Sequence, residues 1–253
     1  MDYDKVKQKY QDHFTPDEFS KLVKAQDALY MFFQRHLHDI FNSDLISGST
    51  LVDFGCGPTT SNLFPVTKVC KEVVLCDYLE QNRCAVQKWI NKHPDALDWT
   101  LFATTEAKLE GYGDIEAGAE EIQERTRDAI KHVVPCDLHD MSVMPEAFRV
   151  EYDVLLTSLC LEIAALDMDT YNKGVFNLSQ LIKPGGSIVQ CGAIGATSYN
   201  VGNTKFDALF LTEDNVKCAL ENAGFVVKYW QSSNLKNASS LDHGAFVVSA
   251  KKL

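Results

Sequence analysis

No stretch of this sequence approaches the length of a membrane-spanning helix, and the opening MDYDKVKQKY lacks the apolar centre of a signal peptide. Positive charge is also in deficit. With 24 Lys and Arg against 35 Asp and Glu, the net charge is −11. That excludes a broad phosphate-binding surface, because polyanion recognition draws on clustered Lys and Arg. Metal spacing is missing too: the eight cysteines, at 56, 70, 76, 84, 136, 160, 191 and 218, form no CxxC pair, and no His stands at zinc-finger spacing. The expectation is a cytoplasmic chain with reduced, mostly buried thiols and no metal, nucleic-acid or membrane partner. The N-x-S triplets at Asn177 and Asn237 then have no meaning as glycan sites. No Pro/Gly/Ser-rich linker or repeat divides the 253 residues, so a single monomeric domain over 1–253 is expected.

What is present alternates between two periods. Thr15-Pro16-Asp17-Glu18 reads as a helix start with a capping box, and apolar residues from Phe19 to Phe41 continue it at helical spacing. A strand is predicted at 50–54, a short helix near 60–69 and a second strand in KEVVLCDY (71–78). A helix bearing Val86, Trp89 and Ile90 stops before Pro94. The charged stretch 114–132 is predicted helical and feeds a third strand, HVVPCD. Then come YDVLLTS (152–158), a helix over 169–182 ended by Lys183-Pro184-Gly185-Gly186, and SIVQCGA (187–193). Thr212 opens a last helix closed by Gly224. FVVKYW (225–230) and AFVVSAK (245–251) have only a polar loop between them and read as an antiparallel hairpin. The pattern predicts an α/β, doubly wound, Rossmann-like sheet with helices on both faces.

In such sheets ligands lie beyond the carboxyl ends of the strands. The first predicted strand runs into LVDFGCGPTT, where Gly55 and Gly57 let a ligand approach the backbone. A dinucleotide loop would carry a third glycine at residue 60, which is Thr, and Pro58 removes an N–H that a phosphate could use. Asp77 ends the second strand, where a carboxylate can take both hydroxyls of a ribose. Cys136-Asp137 ends the third, where an acid can accept from an adenine amino group. Glycine, acid and acid at three strand ends describe a nucleoside without phosphates, and S-adenosylmethionine fits that description.

Five blocks in order, VDFGCGPTT, CDYLEQN, PCDL, LLTSLCLEIA and LIKPGGSIVQ, resemble the nicotinamide, phenylethanolamine and indolethylamine N-methyltransferases, with further likeness at HFTPDEF and KWINKHPDALDW. The resemblance implies a seven-stranded class I methyltransferase fold with an N-terminal helical lid over 1–45. It implies S-adenosylmethionine as methyl donor, S-adenosylhomocysteine as product and a small-molecule nitrogen as acceptor. It places Phe19, Gly55, Gly57, Pro58, Thr59, Asp77, Tyr78, Asn82, Cys136, Asp137, Leu138 and Ser158 on the cofactor. Leu159, Glu162, Ala193, Thr197 and Tyr199 fall on the acceptor side, with Glu162 the catalytic candidate.

The acceptor half departs from the family pattern. Gly192 stands where the nicotinamide and phenylethanolamine enzymes carry a second acid. Phe19, Val23 and Lys24 stand where tyrosines are usual, Ser61 where an aromatic is expected, and Ala196 and Ala208 where the nicotinamide enzyme has serines. Two readings therefore stand at this point: an active N-methyltransferase for a pyridine or amine nitrogen, with nicotinamide or a related aromatic amine the leading acceptors, or an S-adenosylmethionine-binding sensor or partner subunit with weak or lost catalysis. Methylation of nucleic acid is disfavoured, since Thr157-Ser158-Leu159-Cys160 replaces the N/D-P-P-Y/F of enzymes that methylate base nitrogens.

Overall fold

The computed structural model describes residues 3–234 and 244–253. Its strands are β1 (Thr50–Phe54), β2 (Glu72–Asp77), β3 (Ile130–Pro135), β4 (Tyr152–Ser158), β5 (Ile182–Ile194), β6 (Ser198–Val201), β7 (Thr204–Asp207), β8 (Phe225–Asn234) and β9 (Gly244–Lys252). Seven form one sheet in the order β3-β2-β1-β4-β5-β9-β8, and β6 and β7 pair as a separate hairpin. The first five sheet strands run parallel, while β9 is antiparallel to both β5 and β8. The helices are α1 (Tyr3–His13), α2 (Pro16–Ala25), α3 (Asp27–Phe41), α4 (Glu80–Ile90), α5 (Thr100–Glu110), α6 (Ile115–Ala129), α7 (Leu161–Ala164), α8 (Met168–Ser179) and α9 (Glu213–Asn222). Among the described residues no helix is long and apolar enough to cross a membrane.

Period-two alternation divides the core. Leu51, Leu75, Leu156 and Val189 join a cluster with Leu37 of α3, Trp89 of α4, Phe102 of α5 and Ile122 of α6. Val52, Phe54, Leu155 and Ile188 point the other way, onto Tyr171 and Leu178 of α8 and Val216 and Leu220 of α9. Burying each such side chain contributes about 1.5–3 kcal/mol. The switch in strand order lies between β1 and β4, so Gly55, Asp77, Asp137 and Ser158 reach one edge of the sheet together.

Several elements differ from their sequence reading. Thr15 caps α2 by accepting from the Glu18 N–H, but the Glu18 carboxylate goes to Lys21, so the capping box is half formed. The single helix read through to residue 41 breaks at Gln26, whose backbone at φ −111° and ψ 37° leaves the helical region between α2 and α3, and no side chain caps the new start. Pro65 splits the helix expected near 60–69 into two short 3-10 turns. The helix capped by Asp114 ends at Ala129, and the third strand takes over at once. The helix read over 169–182 is Asp167-capped and ends at Ser179; β5 then begins at Ile182, taking in Lys183-Pro184-Gly185-Gly186. The polar loop between the last two strands, with Asn237, falls largely outside the described residues. All eight cysteines are free; five are buried, Cys160 is half-buried, and Cys84 and Cys218 are exposed.

Candidate functional site

β1 ends in two left-handed glycines, Gly55 at φ 74° and Gly57 at φ 64°. They are bare for different reasons. A Cβ on Gly55 would lie 2.1 Å from Cys160 Sγ, so the close approach of β4's continuation demands glycine there. A Cβ on Gly57 would meet only Phe19, at 4.0 Å, and would project into open space. That space is a cavity of about 210 Å³ at the strand ends.

Asp77 is buried and nearly saturated by its own chain. Oδ2 accepts from the Gly57 N–H at 2.8 Å, while Oδ1 accepts from the Leu79 N–H at 2.8 Å and the Asn82 amide at 3.0 Å. Burial raises its pKa and these donors pull it back. A carboxylate has about four lone-pair sites, so one remains, on Oδ2. Asn82 Oδ1 is buried with no partner among the described residues. Asp77 and Asn82 thus each keep a free acceptor site, and both residues line the cavity.

Asp137 is also engaged. Lys7 Nζ lies 2.7 Å from Oδ2, and Oδ1 accepts from the Tyr3 hydroxyl and, at 2.9 Å, from the His139 N–H. Burial pushes this carboxyl up, but hydrogen bonds from Lys7, Tyr3 and His139 outweigh it and hold it below the usual range. The Tyr3 ring lies 3.7 Å from that of His139. Helix α1 therefore closes over the end of β3, a contact between residues 134 positions apart.

At the opposite end, β4 turns sharply through Leu159, at φ 48°, whose N–H donates to Cys191 O. Glu162 follows on α7 and is 1% exposed. Its Oε1 accepts from the Ala193 N–H at 2.9 Å; its Oε2 has no partner, from a Lys or any other group, among the described residues. Burial pushes the carboxyl up to about 7. The Tyr10 and Tyr199 hydroxyls, 2.7 Å apart, join α1 to the β6–β7 hairpin above Phe206.

Of the residues singled out in the sequence, Phe19, Gly55, Gly57, Thr59, Asp77, Tyr78, Asn82, Cys136, Asp137, Leu138, Ser158, Leu159, Glu162, Ala193 and Tyr199 line the cavity. Pro58 is buried and does not line it, and Thr197 is exposed outside it while its neighbours Ala196 and Ser198 line it. Val23 belongs to the main core and not to the cavity wall. Missed in the sequence were Tyr3, Lys7, Tyr10 and Phe14, whose 3-4-residue spacing marks one helical face, and Tyr30 of α3.

Further polar groups are buried outside the cavity lining. Asp53 is 1% exposed, neither of its oxygens has a partner among the described residues, and burial beside Asp77 pushes it up to about 8. Thr60 and Thr157 bury unpartnered hydroxyls as well. On the cavity wall itself, the unpartnered Asn82 Oδ1 and Glu162 Oε2, with the bare Gly57 and the acids Asp77 and Asp137, fit a nucleoside carrying an amino-acid end.

A profile of the NNMT/PNMT/TEMT family matches residues 4–253. The chain belongs to that family. It is 32% identical to nicotinamide N-methyltransferase of Homo sapiens, covering 98% of this chain and 96% of that one. It is 29% identical to indolethylamine N-methyltransferase of Oryctolagus cuniculus, covering 96% and 95%. Against phenylethanolamine N-methyltransferase of Macaca mulatta identity is 26%, covering 87% and 79%. Among solved structures, magnesium protoporphyrin IX methyltransferase from Synechocystis PCC 6803 superposes over all of both chains with a TM-score of 0.60 at 12% identity, a likeness of fold alone. The sheet is that of the class I methyltransferases. Like its family, this protein is an S-adenosylmethionine-dependent N-methyltransferase, so of the two readings the enzyme stands.

Proposed function

We propose that this family member methylates the nitrogen of a small pyridine or amine, and that the acceptor sits against Glu162. The observation that carries this is the buried, unpartnered Glu162 Oε2 on the cavity wall. Asp77 and Asn82 would hold the ribose of S-adenosylmethionine. Tyr78, Cys136, Asp137 and Leu138 would frame its adenine, and Gly55, Gly57 and Thr59 would cradle the methionine part. Pro58 and Thr197 serve no contact in this reading. When bound, the cofactor supplies a methyl carbon made electrophilic by its sulfonium.

The chain's part is to align and to exclude water. Leu159, Ala193 and Tyr199 pack the acceptor's body. An ionised Glu162 draws the acceptor nitrogen into line and offsets the positive charge that builds on it. With an alkylamine, which arrives protonated, Glu162 takes the proton directly or through water. The chain is read as one domain and a monomer, acting in the cytoplasm on small molecules without nucleic acid. Purified protein incubated with labelled S-adenosylmethionine and a panel of pyridines, arylethylamines and aliphatic amines is expected to label at least one nitrogen. Transfer confined to oxygen or sulfur acceptors would overturn the reading.

Helix α1 serves as the lid. None of its residues is fully buried, yet Tyr3, Lys7 and Tyr10 span the cavity from Asp137 to Tyr199. Deleting residues 1–13 is expected to lower turnover by roughly 100-fold or more, because the transfer is opened to water. The melting temperature should move by only about 2 °C, since little core is lost. Full turnover in the deleted protein, or collapse of its fold, would each refute the lid.

A further inference from the structure

Beside the glycine turn, one buried hydroxyl on the cavity wall has no partner. Tyr30 of α3 is 5% exposed and lines the cavity. Its ring is held edge-on by Phe19 at 6.5 Å and 86°, Phe33 at 6.2 Å and 84°, and Phe102 at 6.4 Å and 79°. The hydroxyl makes no hydrogen bond among the described residues, yet it is not sealed in as the hydroxyls of Thr60 and Thr157 are. What little of Tyr30 is exposed therefore opens on the cavity. Burial pushes its pKa well up, so the hydroxyl keeps its proton and can donate it. Its neighbours fix which end of the cavity it serves. Phe19 reaches to 4.0 Å from where a Cβ on Gly57 would stand, and α3 packs on the turn Ser61–Leu63 that follows the glycines. Tyr30 thus shares that end with Gln26, Thr59 and Asn62, all neutral. Among the described residues the lining holds a single Lys and no Arg, and that Lys7 lies 2.7 Å from Asp137, at the end of β3.

Resting on the assignment of Gly55, Gly57 and Thr59 to the methionine part of the cofactor, we infer that the Tyr30 hydroxyl donates to the carboxylate of that amino-acid end. The reason is desolvation. A carboxylate carried into the cavity gives up water and needs donors in return. Among the described residues no cation lines this end, so neutral donors must meet it. The Thr59 hydroxyl is already paired with that of Ser61 at 2.9 Å. Tyr30 offers a donor that is buried, free and held by its ring contacts before any ligand arrives. A hydroxyl bonded to an ionised oxygen is roughly twice as strong as one bonded to a neutral group, and a pre-set donor loses little freedom in forming it. Anchoring the carboxylate also fixes the sulfonium, and with it the methyl group, relative to Glu162.

The test titrates wild type and Tyr30→Phe, by calorimetry, with S-adenosylhomocysteine and with its decarboxylated analogue, which keeps the amino group and lacks only the carboxylate. The variant keeps the ring and its packing and removes one oxygen. It is expected to bind S-adenosylhomocysteine at least ~10-fold more weakly, and the decarboxylated analogue within about twofold of wild type. Unchanged affinity for S-adenosylhomocysteine overturns the inference. So does an equal loss with both ligands, which would make Tyr30 a structural residue. A loss seen only in the KM of the methyl acceptor would move the hydroxyl to the acceptor and overturn it as well. Neither titrated ligand is an acceptor, so the result is independent of the role given to Glu162. Wild type that binds neither compound would refute the cofactor assignment and this inference together, whereas the Tyr30 outcomes leave the cofactor assignment standing.

Discussion

Asp77→Ala is expected to weaken S-adenosylmethionine and S-adenosylhomocysteine binding by about 2–3 kcal/mol, a loss of roughly 30–150-fold by titration calorimetry. Two losses combine. The ribose loses a charged acceptor at a buried strand end. The Gly57 N–H, the Leu79 N–H and the Asn82 amide, all now bonded to the carboxylate, are also left without a partner. The glycine turn and the start of α4 are tied to the same two oxygens, so both loosen together. Asp77→Asn separates charge from geometry: its amide can replace one oxygen but presents N–H to donors that need an acceptor. It is expected to fall near the alanine variant. Unchanged affinity in Asp77→Ala would remove the ribose from this residue.

Glu162→Gln is expected to lower kcat/KM by roughly 10–1,000-fold while cofactor affinity stays within about twofold. The shape is kept and only the ionised form is lost. Since burial pushes this carboxyl up to about 7, wild-type kcat/KM should climb as pH rises through about 7, and the variant should lack that limb. Stability moves the opposite way. An acid whose pKa is raised on folding binds its proton more tightly in the native state, so its contribution is greatest below the unfolded value of about 4.3. It is lost as pH climbs to about 7, at a cost of roughly 3 kcal/mol for so deeply buried a group. Relative to wild type, Glu162→Gln should therefore be more stable at pH 8 than at pH 5 in chemical denaturation. Kinetics identical to wild type would move the acceptor away from this residue.

The strand ends were legible because they are local. Leu51 to Phe54 alternate faces, Gly55 and Gly57 interrupt them, and Asp77 closes a second apolar run, all within a few residues each. The hidden parts depend on distant partners or on weak periodicity. Helix α1 lacks a strong apolar stripe because the face it presents covers a cavity and not the core. The Tyr3–Asp137 and Tyr10–Tyr199 contacts join segments whose proximity only the completed sheet creates. Gln26, where two helices meet at an angle, sits inside an apolar pattern that satisfies both. Thr197 and Ala196 show the limit of carrying residues over by position: a one-residue difference in the approach to β6 decides which of them faces in.

The placement of β9 has a consequence for biosynthesis. It follows β8 in the chain but lies between β8 and β5, pairing with both in antiparallel register. During translation β8 leaves the ribosome before β9, its one sheet neighbour among the described residues. Val227 and Trp230, which pack in the finished core, then wait without a partner strand, and β5 waits beside them with an open edge. Closure of the sheet is thus a late, long-range event, the kind that folds slowly and exposes strand edges to other nascent chains. A nascent chain that has emerged only through β8 would expose β5 and β8 as open edges of an unfinished sheet, the kind of surface that chaperones cover.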